Sequence, residues 1–320
     1  MLNEETARES MMRDREWKMR DRDLTVRDCE AWAESIDNQL QKRIRAWLDE
    51  DIGTGDVTTL STVPVDHRSL GIIHAKENGV VAGIPVAALV FYSLDPELSI
   101  RAYKQDGDVI YKGDILLEVE GRTRAILQGE RLALNLLQRM SGIATRTRRF
   151  VERLDGLQVQ LVDTRKTTPG HRALEKYAVR VGGGANHRFG LYDAVMIKDN
   201  HIKAAGGVRK AVQAARSYVP HTMKIEVETE RRSEWLEALE AGADIIMLDN
   251  LRPEEMRAAV QEIRGRYPHV LIEASGGVTL DTVREIAETG VDVISVGSLT
   301  SSVQTLDISL DLNEKKGGRT

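Results

Sequence analysis

Beyond Leu154, mostly apolar runs of strand length recur along the chain, and helix-length amphipathic stretches separate them. Alternating strands and helices are typical of parallel sheets, so this half predicts an α/β domain. The runs are nearly continuous, although Gln160 and Glu226 interrupt two of them, which fits a sheet covered on its outer face. Six such units are visible, two fewer than in a complete eight-unit barrel. The predicted strands are residues 159–162, 194–197, 225–227, 245–248, 270–272 and 293–296, and the predicted helices are 208–218, 232–241, 253–266 and 280–289.

The first half of the chain has shorter elements. Apolar residues recur every four positions from Ile36 to Leu48, which predicts an amphipathic helix, and the glycines of residues 50–59 predict a turn-rich loop. Short strands at 70–75, 79–82 and 115–120, with a helix at 85–92, predict a small α+β domain. A long helical pattern covers residues 122–154. The densely charged residues 1–30 are predicted to be an extension without a function of their own.

One face of the long predicted helix is polar. Arg131, Asn135 and Gln138 are spaced so that their side chains share that face. On the pattern alone, a solvent-exposed face and a functional face are equally good interpretations.

Composition and net charge argue against several classes of function. The net charge of −5 argues against a general binder of nucleic-acid backbones, and 4% aromatic residues are too few for a stacking platform along single strands. A single cysteine, Cys29, excludes an internal disulfide framework and a cysteine zinc cluster, and it suits a reducing compartment. Neither a membrane-length apolar run nor a secretion signal is visible, so the protein is predicted to be cytoplasmic. An anion would therefore have to bind at a local basic site.

Polar and charged residues follow five of the predicted strands. Because the carboxyl ends of parallel strands share one rim where ligands bind, these side chains are expected to converge. A barrel mouth partly removes charged side chains from water, and this costs free energy. Charged residues there are therefore hard to explain by a need for solubility alone. The pattern therefore predicts one shared active site, formed by Arg165 and Lys166 after the first strand, Lys198 after the second, Glu228 after the third, Asp249 after the fourth and Ser275 after the fifth.

Glycine follows the last two predicted strands, at Gly276 and Gly277 and again at Gly297, which precedes Ser298. Glycine lets the backbone approach a ligand closely. The loops after the last two strands of such barrels are common phosphate sites. In this context a phosphate site is favoured over a pair of tight turns.

A run of three glycines, residues 182–184, precedes His187 and Arg188 between the first two predicted strands. A lone histidine is usually structural, but this one neighbours an arginine near the predicted rim, so a ligand-binding role is favoured. Glu228 and Asp249 beside a phosphate site predict Mg²⁺, which prefers one or two carboxylates plus ligand phosphates. A histidine-rich zinc set, a nucleophile elbow, a Walker loop and a dinucleotide fingerprint are all missing from the sequence. The predicted ligands are a polyanionic phosphate compound with Mg²⁺ and a second anionic substrate.

At these residues the sequence resembles the quinolinate phosphoribosyltransferase family, also called the nicotinate-nucleotide pyrophosphorylases (carboxylating). The segment DTRKTTPG (163–170), taken with GGGANHRFGLYDAVMIKDNH (182–201), is highly specific for that family. Similarity runs from about residue 38 to about residue 310. The further matching segments are EDIGTGDVTT (50–59), KENGVVAGIP (76–85), ERLALNLLQRMSGIAT (130–145), IEVE (225–228), IMLDN (246–250), EASGG (273–277) and SVGSLT (295–300).

The resemblance implies a domain organisation. An N-terminal α+β open-faced sandwich would occupy residues 31–133, and a six-stranded, TIM-like but incomplete α/β barrel would occupy residues 134–300. The tail, residues 301–320, would return to the N-terminal domain. The family's members act as homodimers in which one chain completes the other chain's site, so Arg131 is expected to reach the partner's substrate.

The resemblance also implies a reaction in which quinolinate and phosphoribosyl pyrophosphate give nicotinate mononucleotide, CO₂ and pyrophosphate, a step of de novo NAD synthesis. Carried over to this sequence, the catalytic set is Lys166, Lys198, Glu228 and Asp249, and the two carboxylates bind the ribose hydroxyls directly or through Mg²⁺. The carboxylates of quinolinate are expected at Arg131, Arg165, His187, Arg188 and Lys198. The 5′-phosphate is expected at Ser275, Gly276, Gly277, Gly297 and Ser298, and Thr164 and Val296 complete the predicted substrate-binding set.

Three alternatives remain at this point. The first is a molybdenum-transport-associated paralogue of the same fold, which the full set of dicarboxylate-binding residues disfavours. The second is a Schiff-base barrel lyase with Lys198 as nucleophile, which would need a lysine of lowered pKa, whereas Asp199 and nearby carboxylates favour a charged one. The third is a non-enzymatic ligand sensor, in which the paired carboxylates would have little purpose.

Overall fold

The computed structural model describes residues 22–313. Residues 1–21 of the predicted charged extension lie outside the described residues. The chain divides into two compact units: the first takes in the chain up to Thr145 together with the segment after Val303, and the second is Arg146–Val303. The division falls inside one long helix, so a single helix contributes to both units.

The first unit contains a five-stranded antiparallel sheet in the order β1-β4-β6-β2-β13. Alternate residues of its strands are buried, which is typical of a sheet with one covered face. A two-stranded sheet pairs β3 with β5. The strands are β1 (Arg22–Leu24), β2 (Arg68–Ala75), β3 (Gly79–Val80), β4 (Ser99–Ala102), β5 (Val109–Ile110), β6 (Ile115–Arg122) and β13 (Ile308–Asn313).

Two helices of this unit begin at residues whose side chains cap them. Thr25 caps the first helix, and its hydroxyl accepts from the Asp28 amide at 3.1 Å while the Asp28 carboxylate accepts from the Thr25 amide. The carboxylate of Asp56 accepts from the Thr59 amide at 3.0 Å and starts the third helix. The helices are α1 (Val26–Ile36), α2 (Leu40–Ile52), α3 (Val57–Thr62), α4 (Ile84–Leu94) and α5 (Thr123–Arg153).

Two local predictions were wrong here. The helix predicted for residues 36–48 is instead α2, because α1 already ends at Ile36 and a turn at residues 37–39 separates the two. The loop predicted for residues 50–59 contains the start of α3, because the Asp56 side chain supplies the N-cap. Apolar periodicity did not reveal either helix boundary. The Asp56 side chain caps α3, and in the turn before α2 the Asp37 carboxylate accepts from the Gln39 amide at 3.0 Å.

The second unit contains a six-stranded parallel sheet in the order β7-β12-β11-β10-β9-β8, which confirms the predicted fold class. Strands β7 and β8 are consecutive in this unit but form opposite edges of the sheet. The strands are β7 (Gln160–Val162), β8 (Val195–Ile197), β9 (Ile225–Thr229), β10 (Ile245–Asp249), β11 (Leu271–Ser275) and β12 (Val293–Ser295). Seven helices complete the described part of this unit: α6 (Arg172–Val181), α7 (Asp199–Ala205), α8 (Val208–Tyr218), α9 (Arg232–Glu240), α10 (Pro253–Arg266), α11 (Val283–Ala287) and α12 (Ser298–Ser301).

The period of two along each strand separates core-forming from site-forming residues. On β9, Ile225 and Val227 are fully buried, while Glu226 and Glu228 share the opposite face. The parallel register then sets Met247 beside Glu228 on one side and beside Glu273 on the other. Acidic side chains of neighbouring strands are thereby brought to one face of the sheet. Within residues 22–313, no helix combines the length and apolar character needed to cross a membrane.

Candidate active site

A cavity of about 630 Å³ opens at the carboxyl ends of the strands of the second unit. It contains every predicted site residue except Arg131. That arginine lies on α5 in the first unit, with 60% of its side chain exposed and Glu130 Oε1 at 4.0 Å. The predicted residues that line the cavity are Thr164, Arg165, Lys166, His187, Arg188, Lys198, Glu228, Asp249, Ser275, Gly276, Gly277, Val296, Gly297 and Ser298.

Sequence reasoning missed several other lining residues. Met196 and Met247 stand two positions before Lys198 and Asp249 on their strands. The strand period could have revealed both, because residues two apart share a face. The remaining lining residues outside the prediction are Asn250, Val278, Ser295 and Ser301.

Lys198 and Glu228 form an ion pair inside the cavity, in which the lysine Nζ donates to Glu228 Oε2. Lys198 directly precedes α7, and Glu228 lies near the end of β9. The neighbouring Asp199, expected to keep Lys198 charged, pairs with Lys203 at 2.8 Å instead. Because the Lys198 amine already donates to a carboxylate, this pair disfavours a role for Lys198 as a nucleophile.

Asp249 completes an acidic wall with Glu228. Burial, followed by the nearby charge of Glu228, raises the pKa of the Asp249 carboxyl. The side chain of Asn250 donates to Asp249 Oδ2 at 2.6 Å, and its backbone N–H donates to the Ser275 carbonyl at 3.0 Å. Two like charges that disfavour each other, beside an amide oxygen, are an oxygen donor set that suits Mg²⁺.

Glycine is required where the chain passes this acidic wall. Gly276 has a φ of +85°, and a Cβ atom on it would lie 2.8 Å from the backbone nitrogen of Asn250. A Cβ on Gly297 would lie 2.9 Å from Cδ of Lys166. A larger residue at either position would displace a group that lines the cavity.

The loop after β7 is tied to the last strand end. The Thr300 hydroxyl donates to the Lys166 carbonyl at 2.8 Å, and the Lys166 amide donates to Thr164 Oγ1 at 3.1 Å. The Ser298 hydroxyl accepts from Nη2 of Arg146 at 3.0 Å. The first two contacts hold Lys166 beside the glycine-containing loops, and the third fixes Ser298 at the last strand end.

Arg165 and Arg188 form the basic side of the cavity. Burial, followed by the charge of Arg165, lowers the pKa of Arg188. Arg188 is held by a hydrogen bond from its Nη1 to the Ala194 carbonyl at 2.9 Å. Two cations close enough to disfavour each other leave a positive potential that an anion would neutralise.

His187 stands beside this basic side. Its Nε2 lies 3.3 Å from Glu226 Oε2 and 3.5 Å from Glu273 Oε2. Burial opposes protonation of the ring, but the hydrogen bonds to the two glutamates outweigh burial and raise the pKa of His187 to about 9. The Arg188 amide donates to Nδ1 at 2.7 Å, which only the neutral ring with its proton on Nε2 can accept, so this contact opposes the charged form that the glutamates favour. In both the neutral and the charged form, Nε2 carries the proton that faces the two glutamates.

Comparison with known proteins agrees with this geometry. The family model described as "Quinolinate phosphoribosyl transferase, C-terminal domain" matches residues 143–311. The corresponding N-terminal domain model matches residues 56–141. The chain belongs to the quinolinate phosphoribosyltransferase family.

Members of this family resemble the chain over most of its length. The probable nicotinate-nucleotide pyrophosphorylase [carboxylating] of Bacillus subtilis is 47% identical over 274 residues, which cover 86% of this chain and 93% of that protein. Quinolinate phosphoribosyltransferase [decarboxylating] 2a, mitochondrial, of Nicotiana tabacum is 44% identical and covers 83% of this chain and 80% of its own. The crystal structure of NadC from Streptococcus pyogenes superposes with a TM-score of 0.82 at 43% identity, covering 86% of this chain and 97% of its own.

Proposed function

We propose that this protein is a quinolinate phosphoribosyltransferase, which converts quinolinate and phosphoribosyl pyrophosphate into nicotinate mononucleotide, CO₂ and pyrophosphate in NAD biosynthesis. The observation that carries the proposal is one cavity with three different sides. A basic side suits a dicarboxylate, an acidic side suits a ribose, and glycine-containing loops suit a phosphate. The reaction needs all three at the same place.

The dicarboxylate would bind at the basic side of the cavity. Arg165 and Arg188 have fork-shaped guanidinium groups that match carboxylates, and burial, followed by the charge of Arg165, lowers the pKa of Arg188. His187 adds a ring whose Nε2 proton is held by acidic neighbours. Binding a dianion here would relieve the repulsion between the two arginines.

The ribose would bind at the acidic side, where Glu228 and Asp249 accept hydrogen bonds from its hydroxyls. Burial, followed by the nearby charge of Glu228, raises the pKa of Asp249, and the two carboxylates together form an oxygen donor set that fits Mg²⁺. A bound Mg²⁺ would act as a Lewis acid toward the pyrophosphate oxygens. The same two carboxylates would stabilise positive charge that develops at C1′ of the ribose.

The 5′-phosphate would bind at Ser275, Gly276, Gly277, Gly297 and Ser298, where the backbone can approach an anion closely. Lys166 lies against Gly297 and would add a cation at this end of the substrate. Thr164 and Val296 complete the lining. Lys198, paired with Glu228, would lie between the two substrates.

The reaction is balanced without a protein nucleophile. The bond between C1′ and the pyrophosphate oxygen breaks, its electron pair leaves with pyrophosphate, and the quinolinate ring nitrogen bonds to C1′. The quaternised nitrogen then accepts electron density as the adjacent C–C bond breaks, so CO₂ leaves and the ring carbon takes a proton. The chain's residues align the nitrogen with C1′ and match the developing charges, so catalysis is mainly positioning and electrostatics.

Other functions fit the cavity less well. The ion pair between Lys198 and Glu228 disfavours a Schiff-base lyase. The family relatives described above carry names of pyridine-nucleotide enzymes, which disfavours the molybdenum-transport paralogue. A ligand sensor would have no use for the paired carboxylates.

We further propose a homodimer in which Arg131 of each chain acts in the partner's site. The largely exposed side chain of Arg131, on a helix face shared with the exposed Asn135, supports this. A cytoplasmic location also stays a proposal, which the single, buried Cys29 supports.

Product analysis tests the proposed function. Purified protein would be incubated with Mg²⁺, phosphoribosyl pyrophosphate and either quinolinate, nicotinate or molybdate, and the products would be separated by chromatography. Nicotinate mononucleotide formed from quinolinate and not from nicotinate would support the proposal. Turnover of nicotinate alone, or of none of the three, would contradict it.

A further inference from the structure

Two buried glutamates lie next to the cavity without lining it. Glu226 on β9 and Glu273 on β11 are each only 3% exposed. Each carboxylate also has one oxygen, Oε1, that is buried without a hydrogen-bond partner. Burial, together with the nearby charge of Glu273, raises the pKa of Glu226. Burying two carboxylates that each have an oxygen without a partner lowers the stability of the fold. Groups of this kind beside an active site are often functional.

The group that faces both glutamates is the ring of His187. The three donor atoms, one from each residue, lie within 4.8 Å of one another, a spacing that could also suit a metal ion. The Arg188 amide decides between the two interpretations, because it donates to Nδ1 of the ring. A histidine that binds a metal through Nε2 would carry its proton on Nδ1, where that amide points. The cluster therefore holds a proton on Nε2.

The backbone of His187 is fixed as firmly as its ring. Its N–H donates to Asp163 Oδ1 at 3.0 Å, and its carbonyl accepts from Lys176 Nζ at 3.0 Å. Asp163 and Lys176 are themselves a buried ion pair, and the Asn186 side chain donates to the other Asp163 oxygen at 2.6 Å. With its backbone held, the ring has only its side-chain torsions left, and the two glutamates remove that freedom.

We propose that Glu226 and Glu273 are positioning residues that hold Nε2 of His187 and thereby fix its ring, and the adjoining Arg188, in the place where they meet the dicarboxylate substrate. This inference rests on the proposed function. Without one glutamate, the ring would be held from one side only. Quinolinate binding would suffer, whereas the phosphoribosyl end of the cavity would not.

Steady-state kinetics of Glu226→Gln and Glu273→Gln tests this inference. Each variant is expected to raise KM for quinolinate about tenfold, because a neutral amide replaces the carboxylate that holds the Nε2 proton and the charge assistance of the hydrogen bond is lost, with little change in kcat or in KM for phosphoribosyl pyrophosphate. The matched control is Glu118→Gln, a half-buried glutamate of the first unit that accepts from the Tyr103 hydroxyl at 2.8 Å. The control should leave both KM values unchanged.

A double-mutant cycle with His187→Asn separates positioning from general structural damage. If the glutamates act through His187, then Glu226→Gln has no further effect on KM once His187 is replaced. Folded variants with unchanged KM for quinolinate would overturn the inference, as would an equal rise in KM for both substrates or an effect that persists beside His187→Asn. A wild-type protein without the activity would instead overturn the proposed function itself.

The wild-type protein gives a second test that does not depend on variants folding. Nitrogen NMR of the labelled histidine ring is expected to show a proton on Nε2 of His187 and hydrogen-bond acceptance at Nδ1 in the neutral ring. Elemental analysis of the purified protein is expected to find no metal ion at this cluster. A proton on Nδ1 alone, or a metal that is lost on Glu273→Gln substitution, would overturn the inference.

Discussion

A Cβ atom on Gly276 would lie 2.8 Å from the backbone nitrogen of Asn250, and nearer still to the Asn250 side-chain oxygen. The end of β11 is held against the end of β10 by the Asn250 amide, which donates to the Ser275 carbonyl, and this leaves room for glycine only. The acidic side of the cavity and the expected phosphate site therefore meet where the ends of β10 and β11 are in contact.

Gly276→Ala is expected to lower kcat/KM for phosphoribosyl pyrophosphate about 100-fold, because a small displacement at the reacting groups has a large effect. Steady-state kinetics with quinolinate saturating would measure it. Gly156→Ala is the control, since Gly156 also has a positive φ but nothing within 4 Å of a Cβ. The control should lower the melting temperature slightly and keep the activity; equal losses in both variants would contradict the close-approach argument.

Arg165→Ala is expected to weaken transition-state binding by about 2 kcal/mol, roughly thirtyfold in kcat/KM for quinolinate, because it leaves a substrate carboxylate without its partner. Arg257→Ala, an exposed arginine on the outer helix α10, is the matched control and should behave as wild type. Kinetic constants for Arg165→Ala that equal those of the control would remove Arg165 from the substrate site.

Removal of divalent cations is expected to abolish activity, and Mg²⁺ is expected to restore it. Asp249→Asn should lower kcat about 100-fold through the loss of a charge near the developing positive centre, and it should raise the Mg²⁺ concentration needed for half-maximal rate. Titration of Mg²⁺ into chelator-treated wild type and variant measures both. Full activity in the chelator would contradict the proposed role of Mg²⁺.

Mixing inactive Arg131→Ala chains with inactive Lys166→Ala chains tests the shared site. In a randomly mixed twofold dimer, half of the dimers are hybrids and each hybrid has one intact site, so about a quarter of wild-type activity should return. Subunit exchange must be shown separately, for instance with differently tagged chains. Exchange without recovered activity would exclude a contribution of Arg131 to the partner's site.

The acid stability of the first unit should depend on Asp95. Hydrogen bonds from Arg122, at 2.6 Å to each carboxylate oxygen, are the main cause that lowers the pKa of this buried carboxyl, and burial opposes them. A folded-state pKa below the unfolded value stabilises the fold above about pH 4 and loses that contribution as the pH falls through the folded pKa. Denaturation followed from pH 7 to pH 3 should therefore show a smaller loss of stability for Asp95→Asn than for wild type. An identical pH dependence would show that the pair contributes nothing.

Sequence patterns predicted the strands and helices of the second unit well, because a short continuous stretch of sequence marks each of them. Strand length, apolar runs and the charges after each run predict which residues reach one rim, and the family resemblance adds Thr164 and Val296, but six further residues that line the cavity were missed. Glu226 shows the limit: it interrupts an apolar run in the sequence, but its contact with His187 spans 39 positions along the chain. The break between α1 and α2 was missed because it depends on a few local hydrogen bonds at residues 37–39, which the spacing of apolar residues does not report.

The central claim is that decarboxylation of quinolinate depends on transfer of the phosphoribosyl group at this cavity. Quinolinate labelled in the carboxyl group next to the ring nitrogen would be incubated with the protein and Mg²⁺, and labelled CO₂ and pyrophosphate would be counted. Equal amounts of both are expected, with none released without phosphoribosyl pyrophosphate and a large reduction in Lys166→Ala. Release of CO₂ without phosphoribosyl pyrophosphate, or no release when all components are present, would contradict it.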